Sequence, residues 1–158
     1  MADELCGHSG QPIVRQRSTY DCLLCALAML MGKSYAEVHE AAVGLQPAYT
    51  NMTAPMTHSL MRRIAHNKGY VLLSGIYMDW SAPGIIGVQS QTIENCGHAV
   101  FWDGRQLIDP GGTDSYDRLY IEAHALEFTQ RACDLGSLIR LERELAPTRG
   151  AICLGEYH

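Results

Sequence analysis

Cys22 stands at the front of an apolar run, STYDCLLCALAML over residues 18–30, in which turn-forming residues give way to leucine, alanine and methionine. The pattern predicts a helix over 21–31, stopped by Gly32, with Cys22 in its first turn. The first N–H groups of a helix have no intrahelical acceptor, and with the helix dipole they stabilise a thiolate. A thiol so placed is a candidate nucleophile. Two other readings stand beside it. Cys22-Leu23-Leu24-Cys25 is a Cys-x-x-Cys pair of the kind used for metal or redox chemistry, and both sulfurs also suit a buried core.

A nucleophilic thiol needs a base, and the second half of the chain offers one. His98-Ala-Val-Phe-Trp102 and Arg105-Gln-Leu-Ile108 flank Asp103-Gly104, a strong hairpin signal. With a two-residue turn, Trp102 pairs with Arg105, Val100 with Leu107, and His98 with Asp109. Opposed residues share a face with Cβ atoms about 5 Å apart. The sequence thus predicts a carboxylate beside an imidazole. A carboxylate on one ring nitrogen fixes the tautomer and leaves the other nitrogen as base. A surface cross-strand ion pair is the alternative. Cysteine, histidine and carboxylate together make the nucleophile, base and orienter of an acyl-transfer site. Such a site also needs donors for an oxyanion. The Cys22 backbone N–H is one; the Gln16 side-chain amide, six residues upstream, is the candidate second, with Gln11 a weaker choice.

The elements that must position these groups read as helices first and strands after. Ser34-Tyr-Ala-Glu37 is a capping box opening a helix to about Val43, and a loop with Pro47 follows. A helix over 54–67 carries Met56, Leu60 and Ile64 on one face, with Pro55 in its first turn and Gly69 at its end. Residues 70–77 and 84–89 read as strands, 116–128 as a helix with Leu119, Ala123 and Leu126 on one face, and 151–154 as a possible strand. This order predicts an α+β fold in one domain over residues 1–158.

Composition bounds the function. The net charge of -5 argues against nucleic acid, which rewards dense Lys/Arg patches, and Arg62-Arg63 reads as a solvated helix face. No stretch approaches the ~18 consecutive apolar residues of a membrane span. The segment MADELCGHSGQ lacks an apolar core, so no signal peptide is expected, and a cytoplasmic, reducing setting follows. There, six cysteines point to catalysis or metal before disulfides.

Gln16-Arg-Ser-Thr-Tyr-Asp21-Cys22, then Gly97-His98-Ala-Val-Phe101, then Leu107-Ile-Asp109-Pro110, resembles the papain-like cysteine peptidases over residues 13–112. The likeness is greatest to the bacterial branch that trims double-glycine leader peptides from bacteriocins, with its stand-alone relatives. The resemblance implies a helical half carrying the cysteine, packed on an antiparallel sheet carrying the histidine and the aspartate. It implies Cys22 as nucleophile, His98 as base and then acid, Asp109 as orienter, Gln16 as oxyanion donor, no cofactor, and a peptide or protein substrate. One departure is Leu23-Leu24, where relatives carry Gly and often Pro; two leucines there would narrow the cleft or change the substrate. The exporters' transporter and nucleotide-binding segments are absent from this sequence, so leader-peptide export does not follow.

The expected function is therefore a small thiol hydrolase of peptide or isopeptide bonds. A degenerate peptide-binding module, and a deamidase or acyltransferase using the same triad, are the alternatives. A zinc site built from Cys6, His8, Cys22 and Cys25 is a rival with unusual spacing. Cys25, Cys133 and Cys153 are expected in the core. Cys96, two residues before His98, is either a core residue or a partner for Cys22 on oxidation. His39, His58, His66 and His124 are expected as solvated or capping residues. Trp102 either walls the cleft or packs as an ordinary aromatic.

Overall fold

The structure, a computed structural model, describes residues 12–132. Helix α1 is Cys22–Met31. Every residue from Leu23 to Met31 is buried, so this helix is apolar all round and runs through the middle of the molecule. Gly32, in the left-handed region at φ 65°, ends it and returns its N–H to Ala28 and Met29. Helix α2, Tyr35–Leu45, starts on the expected capping box: Ser34 accepts from the Glu37 N–H, and Glu37 reaches back to the Ser34 N–H. A 3-10 turn, Pro47–Asn51, leads on. Helix α3, His58–Asn67, begins later than 54, because the Thr57 hydroxyl accepts from the Leu60 N–H and sets the boundary. Pro55 therefore lies outside it.

The second half is a five-stranded, wholly antiparallel sheet: β1 Leu72–Gly75, β2 Gly84–Gln89, β3 Gly97–Trp102, β4 Leu107–Ile108 and β5 Ala125–Arg131, in spatial order β1-β5-β2-β3-β4. The α+β class is as expected. The expected helix over 116–128 is corrected to a short helix α4, Arg118–His124, followed directly by β5. Asp117 caps α4 by accepting from the Tyr120 N–H. Ile121 is the buried residue of α4, while Leu119 and Leu126 are exposed, so the supposed apolar face is not one. Pairing with β1 and β2 on both sides outweighs the helical spacing.

Two cores hold the layers. Helix α1 packs on one face of the sheet and α2 and α3 pack against α1, in a core that includes Leu24, Leu27, Leu60, Ile64, Ile85 and Phe101. The other face is covered by Tyr116 and Ile121 over Ile86, Val88 and Val100. Trp102 belongs to this second cluster. It meets Trp80 edge-on at 5.2 Å between ring centroids and donates its Nε1–H to the Trp80 carbonyl. It is a packed aromatic and does not wall the cleft. No helix among the described residues is long and apolar enough to cross a membrane. The possible strand at 151–154, and Cys6, His8, Gln11, Cys133 and Cys153, lie outside the described residues.

Candidate active site

Cys22 is the first residue of α1, and its side chain is half-buried. Asp21 occupies the N-cap position but gives the helix no side-chain cap. The first helical bond runs from the Cys25 N–H to the Asp21 carbonyl. The N–H groups of Cys22, Leu23 and Leu24 thus have no acceptor within the helix. The fully buried Asp21 carboxylate faces backwards instead. Its Oδ2 accepts from the N–H groups of Arg17 (2.8 Å) and Ser18 (3.2 Å) and from the Tyr35 hydroxyl (2.8 Å). This knot pins the loop before Cys22 to α2.

His98 and Asp109 meet as expected, but not by the expected register. The strands pair Trp102 with Leu107 and Phe101 with Ile108, which sets His98 two places from direct opposition to Asp109. The connection is a four-residue loop in which the Asp103 carboxylate accepts from the N–H groups of Arg105 and Gln106, both at 2.7 Å. Gly104 alone in this loop has positive φ, whereas a two-residue Asp-Gly turn of the hairpin type needs it at both positions. A slip of two residues preserves the face, so the diagonal pair still meets. The His98 Nε2 lies 2.6 Å from the Asp109 Oδ1. A carboxylate only accepts, so Nε2 carries the proton and Nδ1 is left for the sulfur. Cys22 and His98 line one cleft, and the Cys22 side chain is near enough to act on the imidazole.

Asp109 is 5 % exposed and well supplied with donors. Besides His98, it accepts from the Gly111 N–H (2.9 Å), the Thr113 N–H (3.3 Å) and the Thr113 hydroxyl (2.8 Å). Burial pushes its carboxyl up, but the bonds from His98, Thr113 and Gly111 outweigh this and hold it below the usual carboxylate range. For His98, burial works against the imidazolium. The neighbouring Cys22 side chain and the hydrogen bond to Asp109 outweigh that too, and hold it above the usual imidazole value. On the far side, the Tyr116 ring stacks on His98 at 4.8 Å between centroids, and its hydroxyl is fixed by the Gln91 N–H at 2.9 Å.

These shifts fix the pH dependence of the pair. A raised histidine stabilises the fold fully below its unfolded value and loses that contribution as pH rises through its folded value. A depressed carboxylate contributes above its unfolded value and loses that contribution as pH falls through its folded value. Both contributions are present between roughly pH 4 and pH 6.5. The stability gap between the wild type and a His98→Gln, Asp109→Asn double variant should be widest there and narrow at both ends. Urea unfolding across this range reads it; a gap independent of pH would mean that the pair does not titrate as an ion pair.

Gln16 lies against the loop after Asp109 but does not line the cleft beside Cys22 and His98, and its amide is engaged elsewhere. Its Nε2 donates to the Ser18 carbonyl (3.1 Å) and to the Asp21 Oδ1 (3.3 Å), while its backbone N–H donates to the Pro110 carbonyl (2.9 Å). A Cβ on Gly111 would come within 3.1 Å of the Gln16 Oε1 and 3.2 Å of both Asp109 oxygens, so glycine is what lets the two loops approach. Arg15 adds a 2.7 Å bond from Nη1 to the Asp109 carbonyl. The loop before Cys22 and the loop after Asp109 are thus stapled together. One Gln16 amide hydrogen must turn from Ser18 or Asp21 to serve an oxyanion.

Beside Cys22 and His98 opens a cleft of about 430 Å³, lined also by Leu23, Pro55, Met56, Ile85, Cys96, Leu126 and Glu127. Of the two leucines after Cys22, Leu23 faces this cleft and Leu24 lies wholly in the core. His58 is neither solvated nor a cap: its Nδ1 sits 2.7 Å from the Glu127 Oε1 inside the cleft. Nothing local in the sequence signals this pair, because Glu127 comes from a strand 69 positions away whose helical spacing hid it. Cys25 is completely buried, and burial first, then the Asp21 charge, pushes its thiol up, so it is an inert core residue. Among the described residues no three metal-ligating side chains gather. No protein-family model matches the chain, and no curated protein or solved structure matches it.

Proposed function

We propose that the protein is a thiol hydrolase of papain-like architecture that cleaves a peptide or isopeptide bond. The observation that carries the reading is Cys22, at the start of α1, sharing one cleft with His98, whose Nε2 is committed to the Asp109 carboxylate at 2.6 Å. The cysteine Sγ attacks the carbonyl carbon after its proton passes to the His98 Nδ1. The oxyanion is met by the unpaired N–H groups at the start of α1, with the Gln16 amide as second donor once it turns. His98 then protonates the leaving amine. The same imidazole takes a proton from water, which opens the thioester and frees the enzyme. An amine in place of that water gives acyl transfer, and an ammonia leaving group gives deamidation, with no change in the residues used. The substrate is a peptide or protein, and no cofactor takes part.

The test is alkylation of the native protein by iodoacetamide across pH, with mass spectrometry to identify the modified cysteine, in wild type and His98→Ala. Cys22 should be labelled selectively while Cys25 is protected by burial. In the variant, labelling of Cys22 at about pH 6.5 should slow by about tenfold or more. A Cys22 rate unchanged by the variant would overturn the reading and favour a peptide-binding module, to which Leu23 in the cleft would then belong.

A further inference from the structure

We infer that the cleft beside Cys22 is a recognition subsite for a lysine or arginine side chain close to the attacked carbonyl, with Glu127 as its anionic end; this rests on the thiol-hydrolase reading. The cleft joins two chemistries. Leu23, Met56, Ile85 and Leu126 give it apolar walls, and Glu127 with His58 gives it one charged end. Lysine and arginine match that combination, since each carries an aliphatic stem that packs on apolar surface and a cation at its tip. A purely apolar residue would leave the carboxylate without a partner of opposite charge from the substrate. An acidic residue would be repelled by it.

The sheet is shaped to present this carboxylate. Gly87 pairs with Glu127, but Val88 pairs with Ala125, so Leu126 is the extra residue of a β-bulge. Bulges re-aim side chains next to active sites. Here Leu126 is left on the rim, 58 % exposed, with its Cδ1 beside Gly97, while Glu127 lies across Gly87. A Cβ on Gly87 would come within 3.3 Å of the Glu127 Cγ. The glycines keep the floor low and hold the space open. The carboxylate is paired but not consumed: its Oε1 lies 2.7 Å from the His58 Nδ1 without an aligned hydrogen bond, with side chains 19 % and 28 % exposed, and its Oε2 has no partner among the described residues. A cation entering the cleft finds that second oxygen.

Peptidyl chloromethyl ketones test this without a known substrate. The Cys22 sulfur displaces chloride from the methylene carbon, and the thiol proton leaves to His98 or solvent. A matched set carries lysine, norleucine or glutamate at the first or the second residue from the ketone. Each rate is divided by the iodoacetamide rate of the same variant. At one of the two positions lysine should react about tenfold faster than norleucine, with glutamate slowest. The lysine advantage should collapse in Glu127→Gln and invert in Glu127→Lys. A wild-type ratio near one at both positions, or a lysine advantage that survives Glu127→Gln, overturns the subsite. Iodoacetamide labelling that ignores His98 overturns the hydrolase reading instead, so the two failures are distinct.

Discussion

Replacing Cys22 by alanine should reduce turnover of a degenerate fluorogenic peptide library by about 10⁴-fold or more, while the thermal midpoint stays close to that of the wild type. The two halves of that expectation come from different features. Loss of the nucleophile removes the covalent route entirely, and the remaining oxyanion donors and cleft then act only on water's attack. The fold is spared because the side chain is half-buried at the edge of the core and alanine is the better helix former. Full turnover in the variant would sink the covalent mechanism. A collapsed midpoint would show that the sulfur supports the packing of α1.

Asp21→Ala should be the most damaging single change to stability away from the apolar core. The carboxylate is fully buried and accepts from two backbone N–H groups, the Tyr35 hydroxyl and the Gln16 amide. Removing it leaves those donors facing a void, and each unsatisfied buried donor costs about 1–3 kcal/mol. A loss of about 3 kcal/mol is expected, which in a chain of this size lowers the midpoint by roughly 6–12 °C. Calorimetry reads the shift. Asp21→Asn should recover part of it, because an amide oxygen still accepts. Cys22 labelling should also slow in Asp21→Ala, since residues 16–18, which carry the candidate oxyanion donor, hang from this carboxylate. A midpoint unmoved by Asp21→Ala would mean that water takes over all these donors at little cost.

What the sequence made legible follows from how local each signal is. The start of α1 was readable because an apolar run and a terminal glycine bound it on both sides, and the Ser34–Glu37 box because its two bonds lie within four residues. The meeting of His98 and Asp109 was readable for a more forgiving reason. The turn was misjudged, yet a strand's period of two means that a slip of two residues lands on the same face. The helix over 116–128 failed because Leu119, Ala123 and Leu126 imitate a helical stripe, while the reason for β5 lies in strands about 40 to 55 residues earlier. With β5 went Glu127, and with Glu127 the whole charged end of the cleft. Gln16 meets the loop after Asp109 but stays out of the cleft lining, and its acceptors Ser18 and Asp21 are a matter of loop conformation that spacing does not encode.

The strand order carries a consequence for how the protein is born. β5 is inserted between β1 and β2, so among the described residues β1 has no strand neighbour until β5 arrives. During synthesis, Cys22, His98 and Asp109 all leave the ribosome before residue 125. At that stage β1 stands unpaired, β2 shows a bare edge to other chains, and one wall of the cleft does not exist. Insertion of a late strand into the middle of a sheet is a long-range event and sets a slow final step. Synthesis proceeds at about 5–20 residues per second, so the interval is short, but a nascent chain stalled within it would carry the thiol and the imidazole without the finished cleft beside them. Closure of the sheet and completion of the cleft are, in this topology, one event.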